Sequence, residues 1–372
     1  MSKPIKMYVI AGEASGDLHA SNLMHALIEE HDAIEFKFWG GDKMQEIAKN
    51  GLVKHIRELA FMGFIEVVMN LKTILKNISY CKKSISEFEP DVLVLVDYPG
   101  FNLRIAEWAK ERGIKVYYYI SPQVWAWKQS RVHKIKKVVD KMAVILPFEK
   151  DFYKKFDYDV EYVGHPLLDE IEKFKFDSIE VFRKEQNLDE RPILVVLPGS
   201  RKQEVSKKLP IMLEAAKRIK THQMVIAGAP SLDKEFYQSL CSNSIVFGKT
   251  YELLSYADVA IVTSGTATLE TALFKVPQVV CYKSSKISYS IAKRLVKVKF
   301  ISLVNLIMDK EVVKELIQGE CTSDNIYKET LRLIEDEEYR SELDNNYKLL
   351  QEKLGGGGAS QKVARSLLKT IQ

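Results

Sequence analysis

Short apolar runs alternate with amphipathic helical patterns through most of the chain, and this alternation constrains the fold more than any other feature. The runs are rich in β-branched residues and only a few residues long, which is typical of strands buried on both faces of a parallel sheet. They occupy residues 7–10, 35–39, 91–96, 115–120, 193–197, 224–227, 259–262 and 278–282. Strands that alternate with helices in this way predict an α/β fold with doubly wound parallel sheets.

The stretch from residue 170 to 191 is polar and interrupts the alternation, so it predicts a connection between two domains. We expect two Rossmann-like domains that face each other across a cleft, residues 1–168 and residues 169–340. A chain of 372 residues is long enough for two separate cores. Both domains have small-residue turns at the carboxyl ends of strands, and we expect ligands to bind at these turns.

The composition excludes several other classes of protein. A formal net charge of +5 with 28% charged residues is too weakly basic for a nucleic-acid-binding chain. The four cysteines are scattered singly, with no histidine at ligand spacing, so we expect no metal site, no disulfide framework and a cytoplasmic location. Residues 7–12 are too short for a secretory h-region, and no apolar run reaches membrane-spanning length. We therefore expect any contact with a membrane to be peripheral.

The second domain contains the strongest candidate for a ligand-binding turn. The strand at 259–262 runs through Ser264, Gly265 and Thr266 into a helix, and the free N–H groups at such a helix start bind phosphate. Glu270 lies about one turn into this helix, where its carboxylate would suit ribose hydroxyls. The alternative is an ordinary helix cap, with Glu270 favourably placed in the field of the helix dipole.

A similar turn follows the strand at 193–197 and contains Gly199, Ser200 and Arg201. A guanidinium group binds phosphate through two parallel hydrogen bonds. We interpret Arg201 as a phosphate ligand, and the alternative is a surface charge.

The first domain has two candidate positions of its own. One is the turn after the first strand, which contains Gly12, Glu13, Ser15 and Gly16. Small residues there suggest that the backbone approaches a ligand closely, although the GxGxxG fingerprint is absent. The other is Asp97, which closes the strand at 91–96 at the edge where open α/β sheets bind ligands. The alternative for Asp97 is a cap for the helix that begins near Asn102.

Residues 61–80 form a predicted helix with more apolar positions than one core-facing stripe needs. A patch for acyl chains and a membrane surface would use Phe64, Val67, Val68, Leu71 and Leu75. The alternative is a helix buried on two sides.

The segment 121–131, SPQVWAWKQSR, combines Trp125 and Trp127 with Lys128 and Arg131, and further lysines follow it. Aromatic and basic residues together would suit a phosphorylated, sugar-bearing lipid. The alternative is a packed loop followed by a solvated helix face.

Eight motifs together resemble the lipid-A-disaccharide synthase family. They are AGEASGD (11–17), SPQVWAW (121–127), LPFE (146–149), VGHP (163–166), LPGSR (197–201), SGTATLE (264–270), AKRLVK (292–297) and SLVNL (302–306). The resemblance implies a GT-B glycosyltransferase of Gram-negative bacteria that uses no metal or other cofactor. It implies transfer of 2,3-diacylglucosamine from UDP-2,3-diacylglucosamine to 2,3-diacylglucosamine 1-phosphate, with inversion to a β-1,6 linkage and release of UDP.

The resemblance also implies roles for individual residues and for the C-terminal segment. Asp97 matches the general base, Glu270 the ribose contact, and Arg201 and Asn305 the contacts at the nucleotide end. Val304 departs from the pattern, since many members have proline there. The family further implies that residues 341–372 return to an N-terminal domain, exchanged between the subunits of a homodimer, and that the protein lies on the anionic inner face of the cytoplasmic membrane.

Two other functions remain to be separated from this one. A UDP-sugar epimerase with the same architecture would not need the apolar patch, and a non-catalytic lipid- or nucleotide-binding module would not need Asp97. Formation of the disaccharide from the two monosaccharide lipids distinguishes all three.

Overall fold

The computed structural model describes residues 4–59, 71–285, 289 and 298–371. Contacts within the chain divide it into two compact units. The first unit contains the chain through Asp169 together with the segment from Gly357 onward, and the second unit extends from Glu170 to Gly356. The break after Asp169 lies one residue from the predicted boundary.

A seven-stranded parallel sheet forms the centre of the first unit. Its strands are β1 (Ile5–Ala11), β2 (Ile34–Gly40), β3 (Leu52–His55), β4 (Val92–Val96), β5 (Lys115–Tyr119), β6 (Lys141–Val144) and β7 (Glu161–Tyr162). Across the sheet they follow the order β3-β2-β1-β4-β5-β6-β7. The chain therefore reverses its direction of winding between β1 and β4, which is where doubly wound sheets bind ligands.

Helices connect these strands, as the alternating pattern predicts. They are α1 (Ala14–Glu30), α2 (Asp42–Ile47), α3 (Leu71–Phe88), α4 (Pro99–Lys110), α5 (Arg131–Val138), α6 (Pro147–Lys154) and α7 (Pro166–Lys173). A single 3₁₀ turn covers Ile56–Glu58.

The second unit is built around a six-stranded parallel sheet. Its strands are β8 (Ile193–Leu197), β9 (Gln223–Gly228), β10 (Ile245–Phe247), β11 (Ala257–Thr263), β12 (Gln278–Tyr282) and β13 (Lys314–Ile317), in the order β10-β9-β8-β11-β12-β13. Its helices are α8 (Ile179–Gln186), α9 (Lys202–Ala216), α10 (Lys234–Gln238), α11 (Thr250–Ser255), α12 (Thr266–Leu273), α13 (Leu303–Met308), α14 (Ser323–Glu335) and α15 (Glu337–Leu354). In this sheet the chain reverses its direction of winding between β8 and β11.

The central strands of both sheets are buried on both faces, which explains their unbroken apolar sequences. All five residues of β4 and all five of β8 are buried. Each such Val, Leu or Ile side chain contributes about 1.5–3 kcal/mol relative to full exposure. A β-branched run of this kind has no polar face, so it is stable only between two layers of helices.

Helix α15 is attached to the second unit through a partly buried charge cluster at the start of β11. Asp258 accepts a hydrogen bond from Arg340 at 2.9 Å, and it lies 2.9 Å from Nε2 of His222. The hydrogen bond with His222 and the pairing with Arg340 lower the pKa of Asp258 to about 2 against the effect of burial. Residues 341–354 therefore belong to the second unit, so the segment that returns is shorter than the expected 341–372.

The last helix, α16 (Ala359–Ile371), packs on the first unit. Asp169 receives the backbone N–H groups of Gly358, Ala359 and Ser360 at 2.5, 3.4 and 3.3 Å, so its carboxylate stabilises the start of the helix. Apolar residues of α16 join the same core cluster as β1, β2 and α1, namely Val363, Ala364 and Leu367. The first unit is thus assembled from two separate parts of the sequence.

Candidate active site

The end of β4 contains an unusual bend at Asp97. Asp97 and Tyr98 have φ values of 46° and 47°, so two consecutive non-glycine residues adopt the left-handed conformation. Such residues cost about 1–3 kcal/mol each and persist only where the surroundings hold them. Strained backbone of this kind concentrates at functional sites, which supports the interpretation of Asp97 as a functional residue.

Three neighbouring groups hold the bend. The backbone carbonyl of Asp97 accepts hydrogen bonds from the Tyr118 hydroxyl at 2.6 Å and from Nδ2 of the fully buried Asn102 at 2.8 Å. The Asp97 N–H donates to the Tyr119 carbonyl at 3.0 Å. The supporting role of Tyr118 could not be predicted from the sequence, because its contact depends on the pairing of β4 with β5. The contact of Asn102 is local, since it lies five residues after Asp97 in the first turns of α4.

Asp97 does not occupy the capping position of the following helix. Helix α4 begins at Pro99 with Tyr98 as its N-cap, and that N-cap makes no side-chain capping bond. Burial and, to a lesser extent, the nearby Glu13 carboxylate together raise the pKa of the Asp97 carboxyl to about 6, against the opposing effect of a hydrogen bond from the Tyr98 N–H. A carboxyl with this pKa accepts a proton near neutral pH more readily than an exposed aspartate does.

The turn after β1 is shaped by Tyr98. A Cβ atom on Gly12 would lie 2.3 Å from the Tyr98 ring, so only glycine fits where this ring crosses the backbone. A Cβ on Gly16 would lie 3.3 Å from the Cβ of Ala11, which reflects close packing of α1 on β1. In the structure both glycines are packed against protein groups, and the expectation that they make room for a ligand stays a prediction. Glu13 is the N-cap residue of α1, and Ser15 is exposed.

Asp17, the last residue of the AGEASGD motif, has a structural role. Its carboxylate accepts the N–H groups of Gly41, Lys43 and Met44 at 2.6, 3.1 and 3.2 Å, and it thereby stabilises the start of α2. Glu13 is therefore the acidic side chain of this motif that lies near Asp97.

The loop after β5 is anchored at several points. The hydroxyls of Ser121 and Tyr153 lie 2.6 Å apart, and the Trp125 ring makes an edge contact with Phe148 at 5.0 Å between centroids. Glu149 is buried and accepts the N–H groups of Ile145 and Leu146 at 3.3 and 2.9 Å. Burial raises the pKa of Glu149 to about 7, while hydrogen bonds that include one from the Ser121 side chain oppose this shift. The SPQVWAW and LPFE motifs are thus in contact with each other.

In the second unit, Ser264, Gly265 and Thr266 form the predicted turn between β11 and α12. Ser264 donates its N–H to the Cys281 carbonyl at 3.1 Å and its hydroxyl to the Ile301 carbonyl at 2.9 Å. Gly265 has a φ of 151° and serves as the N-cap of α12 without a side-chain capping bond. The Ser264 hydroxyl therefore fixes the turn and does not cap the helix, so the first N–H groups of α12 lack a side-chain cap.

Glu270 lies inside α12 with its carboxylate largely buried. Burial alone raises the pKa of Glu270 to about 7. Within the described residues, the structure shows no hydrogen bond or ion pair to this carboxylate. A buried carboxyl without a protein partner is a ready acceptor for ligand hydroxyls.

The turn after β8 combines a glycine in a conformation that other residues rarely adopt with a charge cluster. Gly199 has a φ of 112°, and a Cβ there would lie 2.9 Å from Oε2 of Glu204. Glu204 lies 3.5 Å from Nη1 of Arg201 and 3.9 Å from Nζ of Lys208. The Arg201 side chain is 62% exposed, whereas that of Lys208 is only 3% exposed, and burial lowers the pKa of Lys208. Ser200 is exposed, and its carbonyl accepts a hydrogen bond from Ser231.

Asn305 has a different environment from the one expected for a nucleotide contact. Its Nδ2 donates to the Val313 carbonyl and to Oε1 of Glu315, both at 2.9 Å, and its Oδ1 accepts the N–H groups of Val312 and Val313 at 2.8 and 2.9 Å. These four bonds use the full capacity of a side-chain amide. We therefore treat Asn305 as a residue that shapes the loop and not as a direct ligand.

Val304 is buried at the second position of α13, whose N-cap is Ser302. Proline is tolerated in the first turn of a helix because the N–H groups there have no helical partner. The departure from the family pattern at this position is therefore compatible with the same loop shape.

The predicted apolar patch lies mostly outside the described residues, which exclude Phe64, Val67 and Val68, and the side chain of Leu71. Leu75 on α3 is 52% exposed, whereas Ile78 is buried. The AKRLVK motif (292–297) also lies outside the described residues. No helix in the described ranges is long and apolar enough to cross a membrane. The same part of the chain contains no group of three or more His, Cys, Asp or Glu side chains able to hold a metal ion.

Comparisons with known proteins give matches along the whole chain. The sequence model of a family described as lipid-A-disaccharide synthetase matches residues 7–366. A lipid-A-disaccharide synthase of Syntrophus aciditrophicus is 38% identical over 98% of this chain and 97% of the relative. One of Myxococcus xanthus is 38% identical over 100% of this chain and 99% of the relative.

Two solved structures illustrate the likeness in fold. The UDP-GlcNAc 2-epimerase from Neisseria meningitidis, bound to UDP-GlcNAc, is 16% identical with a TM-score of 0.69 and covers 98% of this chain and 100% of that chain. A glycotransferase of kitacinnamycin is 12% identical with a TM-score of 0.67 and covers all of both chains. At these identities the likeness concerns the fold alone, and with the two parallel sheets it confirms the predicted GT-B class.

Proposed function

Because the chain belongs to the lipid-A-disaccharide synthase family and is therefore a glycosyltransferase, we propose that it transfers an acylated glucosamine between lipid substrates. The donor is UDP-2,3-diacylglucosamine, and the acceptor is 2,3-diacylglucosamine 1-phosphate. The products are the β-1,6-linked disaccharide 1-phosphate and UDP. The observation that carries this proposal is the partly buried carboxyl of Asp97 with a pKa of about 6, held in a strained bend at the end of β4.

The chemistry follows from the charges that appear during transfer. The acceptor 6-hydroxyl loses its proton as it attacks the anomeric carbon, which passes through an oxocarbenium-like state. Asp97 accepts this proton. Attack on the face opposite the leaving group inverts the anomeric configuration.

The leaving nucleotide gains negative charge as its bond to the sugar breaks. The uncapped N–H groups at the start of α12 and the Arg201 guanidinium supply positive charge for the diphosphate. Glu270 accepts hydrogen bonds from the ribose hydroxyls. We therefore assign the acceptor to the first unit and the donor to the second.

A direct assay tests the proposal. The purified protein is incubated with both monosaccharide lipids, and the products are examined for the disaccharide by mass spectrometry and for UDP by chromatography. Absence of the disaccharide would contradict the proposed function. Conversion of UDP-GlcNAc to its 2-epimer without an acceptor would support the epimerase, which so far rests only on likeness in fold.

The pH dependence of the reaction is expected to report the pKa of Asp97. The base acts when it is deprotonated, so kcat/KM should fall about tenfold per pH unit below the Asp97 pKa of about 6. Because the Glu13 charge raises that pKa, a Glu13→Gln variant should shift the acid limb to lower pH. A Ser15→Ala variant in the same turn should leave it in place. If kcat/KM falls over the same pH range in both variants, Glu13 does not influence the pKa of the base.

Arg201→Ala and Glu270→Ala are each expected to weaken UDP binding without loss of the fold. Loss of a charge-assisted hydrogen bond to phosphate or ribose costs about 1.5–3 kcal/mol, roughly a 10- to 150-fold change in affinity. Calorimetric titration with UDP measures the effect, and Lys202→Ala, an exposed neighbour of Arg201, is the matched control. Wild-type affinity in both variants would place the nucleotide elsewhere.

We further propose that the protein is a homodimer that lies on the anionic inner face of the cytoplasmic membrane. Exposed Leu75 at the described end of the apolar segment supports a surface contact. The positive φ values of Gly355 and Gly358, 74° and 83°, support a linker able to redirect α16. Light scattering measures the mass in solution, and a monomer at all concentrations would contradict exchange of the C-terminal segment.

A further inference from the structure

Residues 121–139 form a short basic segment of the first unit. The segment contains five Lys and Arg residues and no Asp or Glu. A charge of this kind next to a candidate active site attracts anions.

Within this segment, Trp127 is exposed between two cations. Its side chain is 40% exposed, whereas the other three tryptophans, Trp39, Trp108 and Trp125, are buried. Nζ of Lys128 lies 4.6 Å from the centroid of the Trp127 ring, and Cζ of Arg131 lies 5.4 Å from it. The indole and the two cations therefore form one exposed surface, which we call the Trp127 cluster.

In the part of the chain that the structure describes, Lys128 and Arg131 of the Trp127 cluster have no acidic partner. Among the described residues, no carboxylate lies within ion-pair distance of Lys128 or Arg131, whereas Lys134 of the same segment pairs with Glu107 at 2.8 Å. The charges of Lys128 and Arg131 are therefore available to an anionic ligand at little cost in broken ion pairs.

Contacts with buried residues hold the loop that contains the Trp127 cluster in place. Trp125, two residues before Trp127, is buried against Phe148, and the Gln129 side chain donates to the Trp125 carbonyl at 3.2 Å. Ser121 at the start of the loop is held by Tyr153. A loop anchored on both sides of the exposed indole loses little conformational freedom when a ligand binds.

The cluster lies at the edge of the first sheet that also holds Asp97. Strands β4 and β5 are parallel neighbours in which Val96 faces Tyr119, and the Asp97 N–H donates to the Tyr119 carbonyl. The loop therefore leaves the sheet one strand away from the proposed base. The Trp127 cluster and Asp97 therefore both follow strands that end at the same edge of this sheet.

We propose that Trp127, Lys128 and Arg131 bind the phosphate end of the acylated acceptor. Two cations match a sugar phosphate monoester, which carries close to two negative charges at neutral pH, better than a phospholipid diester, which carries one. The indole face packs against the C–H groups of the sugar. This assignment rests on the proposed function, because it names the part of the acceptor that the first unit recognises.

Binding without turnover gives the first test. Glucosamine 1-phosphate is titrated into the full-length protein and followed by ³¹P NMR, with glucosamine and inorganic phosphate as reference ligands. The Lys128→Ala/Arg131→Ala double variant should bind the sugar phosphate about tenfold more weakly. A Lys134→Ala/Lys137→Ala double variant removes the same charge from the same segment and should bind as the wild type does.

Turnover gives the second test, with both lipid substrates dispersed in detergent. The Lys128→Ala/Arg131→Ala and Trp127→Ala variants should raise KM for the acceptor about tenfold, with kcat and UDP affinity retained. An unchanged KM would overturn the proposal. Loss of binding to phosphatidylglycerol vesicles with an unchanged KM would also overturn it, because the cluster would then bind a membrane phosphate.

The two tests distinguish failure of this proposal from failure of the proposed function. If the wild type makes no disaccharide, the proposed function is wrong. If it makes the disaccharide and the Trp127 cluster variants match the control in titration and in KM, only the assignment of the acceptor phosphate is wrong.

Discussion

Replacing Asp97 with asparagine is expected to lower kcat by about 10²–10⁴-fold, the range that general-base catalysis typically contributes. Asparagine keeps the shape of the side chain but has no basic oxygen to receive the proton of the acceptor hydroxyl. The backbone bend should survive, because the Asp97 carbonyl and N–H, and not its carboxylate, form the contacts with Tyr118, Asn102 and Tyr119. Affinity for UDP should also persist, since the nucleotide is assigned to the second unit.

The matched control is Asp91→Asn, which makes the same chemical change at the other end of the same strand. Asp91 accepts the Lys6 N–H at 2.8 Å and lies at the amino edge of the sheet. Its substitution should leave kcat unchanged. Near-normal turnover of the Asp97→Asn variant, with an unchanged melting temperature, would show that Asp97 is not the base.

Substitution of Asn305 by aspartate is expected to destabilise the second unit by at least about 3 kcal/mol, because it disrupts a buried and fully satisfied hydrogen-bond network. The new carboxylate oxygen would face the Val313 carbonyl and the Glu315 carboxylate, where Nδ2 now donates to both. Glu315 also accepts the N–H groups of Ile301 and Ser302. The change therefore places two negative charges together in a buried loop.

Thermal unfolding followed by circular dichroism measures this loss, and hydrogen exchange should show faster exchange in α13 and β13. Asn325→Asp serves as the control, since that side chain makes one exposed hydrogen bond to the Glu320 carbonyl. A variant of Asn305 with wild-type stability and weakened UDP binding would instead support the direct nucleotide contact that the family resemblance implies.

The contrast between Asn305 and Asp97 shows what the sequence alone can predict. The position of Asp97 follows from local sequence, because the all-apolar run of β4 identifies a buried strand and its last residue lies at the ligand-binding edge. The direction in which Asn305 points depends on residues 312–315, which approach it only when β13 has joined the sheet. No periodicity in the sequence encodes that contact.

The glycines after β1 illustrate a second limit. Small residues at the end of β1 predict a close approach of a ligand to the backbone, whereas the group that the structure shows close to Gly12 is the Tyr98 ring from another part of the chain. The left-handed conformation of Asp97 and Tyr98 also could not be predicted from the sequence, because neither residue type requires a positive φ. The close approach at Gly12 involves a residue that follows β4, whereas contacts with Tyr118, Tyr119 and Asn102 hold the bend at Asp97.

Loops without a periodic pattern set a third limit on prediction from the sequence. Trp125 and Trp127 are two residues apart and chemically identical, yet one is buried against Phe148 and the other is exposed beside Lys128. From the sequence, a packed loop and a lipid-binding loop are both possible. The structure shows that Trp125 is packed and Trp127 is exposed, a difference that only tertiary contacts decide, and lipid binding by this loop stays a prediction.

The first unit is made from two distant parts of the chain, so a ribosome completes the second unit before the first can close. The bond between Asp169 and the Gly358 N–H spans 189 positions in the sequence, which take roughly 10–40 s to translate. Until α16 emerges, the apolar surface of β1 and α1 that receives Val363, Ala364 and Leu367 remains open. The nascent N-terminal part therefore has to be kept from aggregation throughout that interval, which makes it a natural client for chaperones acting at the ribosome exit.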